Sequence, residues 1–174
     1  MAITFATAAS STRPAVGAGE ARTLHSAWGT VSLSTAFAPA DTLVMCKLPK
    51  GAIIVGGALL GEKWDSAGAG TACMTLNIGV DQPVITPQGT TVTTASTSDC
   101  LAASWAIGSE IAAIPGVHPE ASGRNIPLGG LLVAKGPLYV TEECNVIIKS
   151  ITSAATTFTA VVTLTVAYYA STNQ

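Results

Sequence analysis

The chain has 174 residues and a formal net charge of −2, and only 10% of its residues are Asp, Glu, Lys or Arg, whereas soluble domains usually carry about 25%. Its mean hydropathy is +0.49, yet its best apolar run, Ala52–Leu60, is about half of the ~20 residues that a membrane-spanning helix needs. Lys and Arg form no cluster of the kind that binds nucleic acid. The scarcity of charge therefore predicts a surface that faces other protein subunits, with neither nucleic acid nor membrane as a direct partner.

The first part of the chain predicts an extended arm. Residues 1–28 are rich in Ala, Thr, Ser and Gly, and Pro14, Gly17 and Gly19 interrupt any regular element. An arm that becomes ordered only against another surface and a terminus that is simply disordered fit this composition about equally well. If it is an arm, the side chains expected to contact a partner are its scattered apolar ones: Ile3, Phe5, Val16 and Leu24.

Residues 29–174 are predicted to form one domain, whose first half consists of strands. Short β-prone runs lie between Pro and Gly residues, and within 71–79 apolar and polar residues alternate. The segment GEKWDSAGAG (61–70) predicts an exposed loop, in which Trp64 is a further candidate for a partner contact. The predicted strands are Val31–Thr35, Thr42–Leu48, Ala52–Leu60 and Thr71–Val80.

The middle of the domain predicts one short helix. Ser98 or Asp99 would cap it, and Leu101, Ala102, Trp105 and Ala106 then follow at helical spacing, before Gly108 ends it. Pro and Gly are dense from Pro115 to Pro137, which predicts a long irregular connection.

The end of the chain carries the clearest strand pattern. Across Thr157–Tyr169, alternate residues from Phe158 to Tyr168 are apolar, and so long a strand is expected at the centre of a sheet. Leu138–Thr141 and Asn145–Ile151 are two further predicted strands. Together these elements predict an all-β, jelly-roll-like β-sandwich with an extended N-terminal arm and one short helix.

The sequence offers little material for chemistry. His25 and His118 lie in unrelated segments, and the motifs that hold a catalytic serine, a zinc ion or a phosphate group are absent from the sequence. We therefore expect no catalytic residues, no cofactor and no metal site, and we interpret Glu62, Asp65 and Asp81 as loop acids rather than calcium ligands. The four cysteines are expected to be reduced and buried, and Trp28 and Trp105 to pack against their own sheet.

Two segments carry a resemblance to a known group of proteins. Asp41–Val80 contains DTLVMCKLPKGAIIVGG, then a charged Asp-Ser turn and a strand that ends in Gly-Val. This pattern and the terminal TLTVAYY (163–169) resemble structural proteins of tailed-bacteriophage virions, in particular head decoration (cement) proteins. The resemblance implies a sandwich that sits on a lattice of major capsid protein, and it brings no active site with it.

We therefore hypothesise that the protein forms a homo-oligomer, for example a trimer. This oligomer would decorate and stabilise the outer surface of a phage capsid. The missing export signal and the expected reduced cysteines fit assembly in the host bacterial cytoplasm. The alternatives are a neck, tail or fibre component of the virion and a carbohydrate-binding host adhesin. An enzyme is the third, least favoured class.

Overall fold

The computed structural model of the protein describes residues 4–6, 24–33, 38–61, 75–93, 98–106, 124–127, 136–150 and 160–170. Every regular element in these ranges is a β-strand, which confirms the predicted all-β class. The strands are β1 (Thr4–Ala6), β2 (Leu24–Leu33), β3 (Thr42–Leu48), β4 (Ile53–Gly61), β5 (Thr75–Val80), β6 (Val84–Ile85), β7 (Thr91–Val92), β8 (Ala102–Ala106), β9 (Arg124–Pro127), β10 (Leu138–Val140), β11 (Cys144–Ser150) and β12 (Ala160–Tyr169).

The strands form two sheets. The smaller sheet has the order β1-β3-β11-β5-β8, and the larger has the order β2-β12-β4-β10-β6-β7. The short strand β9 also pairs with β4, at the opposite end of β4 from β10. All pairs are antiparallel except β1 with β3, which is parallel. As predicted, the long strand β12 lies inside its sheet, with β2 on one side and β4 on the other.

The core lies between the sheets because each long strand turns every second side chain inward. On β12 the inward side chains are Val162, Leu164, Val166 and Tyr168, all fully buried. Leu76 and Ile78 of β5 are buried in the same core, and the polar residues that alternate with them, Thr75 and Asn77, are half-buried. The alternation that predicted β5 and β12 is therefore confirmed.

At one point the two sheets approach so closely that only glycine fits. The pairing of β3 with β11 passes from Val44 to Cys46, so Met45 is the extra residue of a β-bulge. Gly29 of β2 is buried against this bulge, and a Cβ atom at Gly29 would overlap the carbonyl oxygen of Met45. The bulge in one sheet and the glycine in the other together set the spacing here.

A side-chain clamp joins the end of β5 to β11. The Asp81 carboxylate accepts a hydrogen bond from the Asn145 backbone N–H at 2.8 Å and another from its Nδ2 at 2.6 Å. The Asp81 backbone N–H in turn donates to the Asn145 carbonyl at 3.1 Å. Asp81 therefore has a structural partner, in line with its interpretation as a loop acid.

Three sequence predictions about elements need correction. Residues 102–106 form strand β8 instead of the short helix, and β8 pairs with β5 along what would otherwise be an open edge. The Leu101 backbone N–H already donates to the Ile78 carbonyl at 2.9 Å. Strand pairing therefore gives hydrogen-bond partners to backbone groups that would have none within a helix of one or two turns. Within the connection predicted to be irregular, residues 124–127 form β9 on the edge of β4.

The third correction concerns the start of the larger sheet. The strand predicted to begin at Val31 begins at Leu24 and pairs with β12 along its whole length. Residues 24–28, assigned to the arm in the sequence analysis, thus lie in β2. Of the rest of the arm, only β1 is among the described residues, and most of the predicted loop at 61–70 lies outside them.

Candidate interaction surface

The larger sheet turns one face outward, away from the core. In β2 and β12 the residues that alternate with the buried ones lie on this face, and the register places them opposite one another in rows. We call this surface the outer face. Its described residues are Leu24, Ser26, Trp28, Thr30 and Ser32 of β2; Val161, Thr163, Thr165, Ala167 and Tyr169 of β12; Ile53, Val55, Gly56, Ala58 and Leu60 of β4; Tyr139 of β10; Ile85 of β6; and Thr91 of β7.

One row of large apolar side chains crosses five of the six strands of the outer face, from β2 to β6. Leu24 is opposite Tyr169, which is opposite Ile53 of β4. Ile53 is in turn opposite Tyr139, and Tyr139 is opposite Ile85. Leu24, Tyr139 and Tyr169 are 55%, 43% and 37% exposed. A continuous apolar row across five strands is unusual on a face open to water, because the solvated face of an antiparallel sheet is normally polar.

Away from the apolar row, the outer face is uncharged, and part of it carries only small side chains. Beside the apolar row the residues are small: Ala167 is opposite Gly56, and Thr165 is opposite Ala58. Further along, the Thr30 and Thr163 hydroxyls are 2.8 Å apart and hydrogen-bond to each other across the strands. These polar groups partly satisfy one another, so covering them costs less desolvation free energy than covering charged groups.

The outer face carries no charged residue among the residues that define it. The described ion pairs lie elsewhere. Lys47 of β3 and Glu143 are 3.7 Å apart, and Lys50 and Glu142, at the end of the sandwich near the β10–β11 turn, are 3.2 Å apart. On the smaller sheet, Lys149 of β11 lies opposite Thr42 and Asn77. The outer face of the larger sheet is therefore poorer in charge than the described surface of the smaller sheet and of the β10–β11 turn.

Trp28 is where the side-chain prediction was wrong. It was expected to pack against its own sheet, but it lies on the outer face with 59% of its side chain exposed. Its strand has small inward residues, Ala27 and Gly29, and Gly29 lies at a close approach to β3. The alternation of β2 then leaves Trp28 pointing away from the core.

Only one of the side chains predicted to contact a partner can be placed. Leu24 lies on the outer face, at the end of the apolar row. Phe5 lies in β1, paired with Leu43 in the backbone register. Ile3, Val16 and Trp64 lie outside the described residues. Neither Tyr139 nor Trp28 was predicted from the sequence as a contact residue. For Tyr169 the sequence did carry a signal, because the alternation in β12 places its side chain on the face that points away from the core.

The titratable groups give no reactive centre within the described ranges. Cys46, Cys100 and Cys144 are free and buried, as predicted, and Cys73 lies outside the described residues. Burial raises the pKa of Cys46 and of Cys100 to about 12, and it raises the pKa of Cys144 as well. A thiol with so high a pKa stays protonated at pH 7 and is a poor nucleophile and metal ligand.

The same ranges also bear on catalytic, metal-binding and membrane roles. His25 was expected in the arm but lies in β2, with its ring centroid 5.5 Å from that of Tyr168. No group of three or more His, Cys, Asp or Glu is placed to hold a metal ion in the described part of the chain. Nor does that part contain a helix long and apolar enough to cross a membrane. The outer face is therefore the best-supported candidate for function.

Comparisons with known proteins give a shared fold. No protein-family model matches the chain, and no curated protein matches it. A chain of the capsid of Ralstonia phage GP4 is similar, with a TM-score of 0.67 and 17% identity over 96% of this chain and 97% of that one. A chain of the capsid asymmetric unit of cyanophage Pam1 has a TM-score of 0.58 and 23% identity over 91% of each chain. These similarities extend over nearly the whole length of all three chains.

Proposed function

We propose that this protein is a structural component of a bacteriophage virion that decorates and stabilises the capsid as a homo-oligomer bound to major capsid protein. The observation that carries the proposal is the shared fold with chains of two phage capsid structures, over 96% and 91% of this chain. The resemblance of Asp41–Val80 and of residues 163–169 to virion proteins, read from the sequence alone, points the same way.

The outer face adds a physical reason. A decoration protein that acts as a homo-oligomer buries surface between its subunits, and such a contact needs a large area that costs little free energy to desolvate. An uncharged face crossed by a row of apolar side chains has this property. Repeated over many copies, individually ordinary contacts give substantial stability to the particle. On this proposal the protein lies on the outer capsid surface and is assembled in the host bacterial cytoplasm.

Copy number in purified virions tests the proposal directly. Quantitative mass spectrometry of particles from the phage that carries this gene should find the protein in hundreds of copies, in a fixed ratio to the major capsid protein. A dozen or fewer copies would point to a neck, tail or fibre component instead. A particle reconstruction would then show whether the protein lies on the outside of the head, and heads stripped of it should release their contents at a lower temperature.

A carbohydrate-binding adhesin is the alternative that one observation favours. Trp28, Tyr139 and Tyr169 are exposed on the outer face, and exposed aromatic rings commonly bind sugars. However, the pairing register places Trp28 two rows away from the tyrosines, so the three rings do not form one continuous strip. A glycan array with wild-type protein and Trp28→Ala distinguishes the two: binding that disappears in the variant would favour the adhesin.

A further inference from the structure

We infer that the outer face of the larger sheet is the contact between copies of this chain, so that the major capsid protein binds elsewhere on the molecule. The inference takes from the proposed function that the protein associates with itself. It adds which surface forms the contact between the copies. Three observations support it: the charge of the face, its size, and the position of the charged groups on the rest of the molecule.

The absence of charge suits contact with an identical partner. In a symmetric oligomer, residues near the rotation axis meet their own copies, so any charge there faces a like charge. None of the residues that define the outer face is charged, and the face therefore carries no such repulsion. Contacts between different proteins usually gain register and specificity from opposite charges on the two sides. The outer face has no charge with which to recognise such a partner.

The area of the outer face is close to what a stable contact needs. β2 and β12 have 10 residues each and β4 has 9, so at about 3.3 Å per residue the sheet is about 30 Å long. The strands are about 4.8 Å apart. The three long strands and the short strands beside β4 therefore give a projected area of about 600 Å², and the accessible area is larger because side chains protrude from this plane. A standard protein interface buries about 800 Å² on each partner.

The apolar row supplies large side chains for such a contact and lies at one end of the long strands β2, β12 and β4. It contains Leu24, Tyr169 and Tyr139, and Tyr is enriched at the energetic centres of interfaces. Trp28 lies two rows away on the same face, where a second copy would cover a ring that this chain leaves exposed. The charged side chains of β3 and β11, including Lys47 and Lys149, lie on the opposite sheet and stay available for a different partner.

A single charge at the middle of the outer face tests the inference. Thr165 of β12 lies opposite both Trp28 and Ala58. In Thr165→Asp, each copy would bring a carboxylate into the contact, and we expect the dissociation constant of the oligomer to rise about tenfold or more. The matched control is Thr42→Asp on the smaller sheet, where Thr42 of β3 lies opposite Lys149 of β11. This variant should leave self-association unchanged. Sedimentation of the full chain over a range of concentrations measures both.

A second variant covers the case in which Thr165→Asp fails to fold. Trp28→Ala removes an exposed side chain from the edge strand β2, so the fold should survive and self-association should still weaken. Circular dichroism establishes that each variant is folded. A wild-type chain that is monomeric at high concentration would overturn the inference, and so would folded variants with wild-type self-association.

The result is separable from the proposed function. If Thr165→Asp loses self-association while virions contain no copies of the protein, the inference stands and the capsid role is wrong. If virions contain hundreds of copies and Thr165→Asp loses binding to heads while its oligomer stays intact, the outer face contacts the capsid. That outcome would overturn the inference and leave the capsid role in place.

Discussion

At the residue scale, Gly29 is a position where the addition of one methyl group has a large effect. A Cβ atom there would overlap the backbone carbonyl of Met45, which cannot rotate away as a side chain could. We expect Gly29→Ala to reduce the free energy of unfolding by about 3 kcal/mol or more, because the two sheets must separate locally. Urea unfolding followed by circular dichroism measures the loss.

Gly56 provides the matched control for this substitution. It also lies in a long strand of the larger sheet, but a Cβ atom there meets nothing within 4 Å. Gly56→Ala should leave stability unchanged or raise it by up to about 1 kcal/mol, since alanine loses less backbone entropy on folding. Equal effects of the two substitutions would show that the close approach of β2 to β3 is wrong.

The buried thiols predict a loss of stability in alkali. With pKa values raised from 9.0 to about 12 in the folded state, Cys46 and Cys100 stay protonated where the unfolded chain has already ionised. Their contribution is therefore complete below pH 9 and is lost as the pH rises toward 12. Each thiol should lower the free energy of unfolding by about 1.4 kcal/mol per pH unit in this window.

A cysteine variant separates the thiols from other groups that titrate in alkali. Tyrosines and lysines also ionise near pH 10, but they contribute equally to wild type and to Cys100→Ala. The slope of stability against pH between pH 9 and 11 should therefore be smaller in Cys100→Ala by the contribution of one thiol. Identical slopes would mean that the Cys100 thiol ionises as readily in the folded state as in the unfolded chain.

At the scale of elements, the Asp81 clamp is expected to hold the end of β5 against β11. Asp81→Ala removes the acceptor for both the backbone N–H and the Nδ2 group of Asn145, and we expect a loss of about 1–3 kcal/mol in thermal or urea unfolding. Glu142→Ala is the control, because it breaks only the exposed ion pair with Lys50 and should cost less than about 0.5 kcal/mol. A similar loss in both variants would contradict a special role for the clamp.

The elements that the sequence predicted well are those with a large apolar side chain at every second position. β3 was predicted with its observed bounds, and β5, β11 and β12 were located within a few residues. β2 was predicted only in its last part because its inward residues include the small Ala27 and Gly29, and the nearby β3 bulge dictates the size of Gly29. That requirement arises from the other sheet, so no local pattern reveals it.

Short strands and ambiguous spacing account for the other differences. β6 and β7 have 2 residues each, too few to show a period. The residues from Leu101 to Ala106 fit a helical spacing, but pairing with the edge of β5 decides their conformation. The outer face could be predicted in part, since low charge and the Thr-rich alternation of β12 are visible in sequence. Its apolar row depends on the register of five strands, which sequence does not give.

At the scale of the whole molecule, the two sheets divide the surface into regions suited to different partners. The larger sheet presents a neutral outer face, whereas the smaller sheet and the β10–β11 turn carry the described ion pairs. If the protein decorates a capsid as a homo-oligomer, as proposed, it binds both its own copies and the capsid, and such a division separates the two contacts. Among the described residues, the low charge is most marked on the outer face.

The N-terminal segment is the remaining candidate for a contact with the capsid or with a neighbouring subunit. Its described part, β1, pairs in parallel with β3 at the edge of the smaller sheet and is 3 residues long. A chain that begins at Leu24 keeps the whole of β2, so it should fold with a melting temperature only a few degrees lower, since about 1 kcal/mol of edge pairing is lost.

Binding to heads should respond much more strongly to the same deletion. If residues 1–23 reach along the capsid or into a neighbour, their removal should weaken attachment to heads about tenfold or more, measured by co-sedimentation with heads that lack the protein. A shorter deletion of residues 1–6 removes β1 alone and separates its pairing from the contacts of the rest of the segment. Attachment by the chain that starts at Leu24 as tight as that of the full chain would show that the segment is not an anchoring arm.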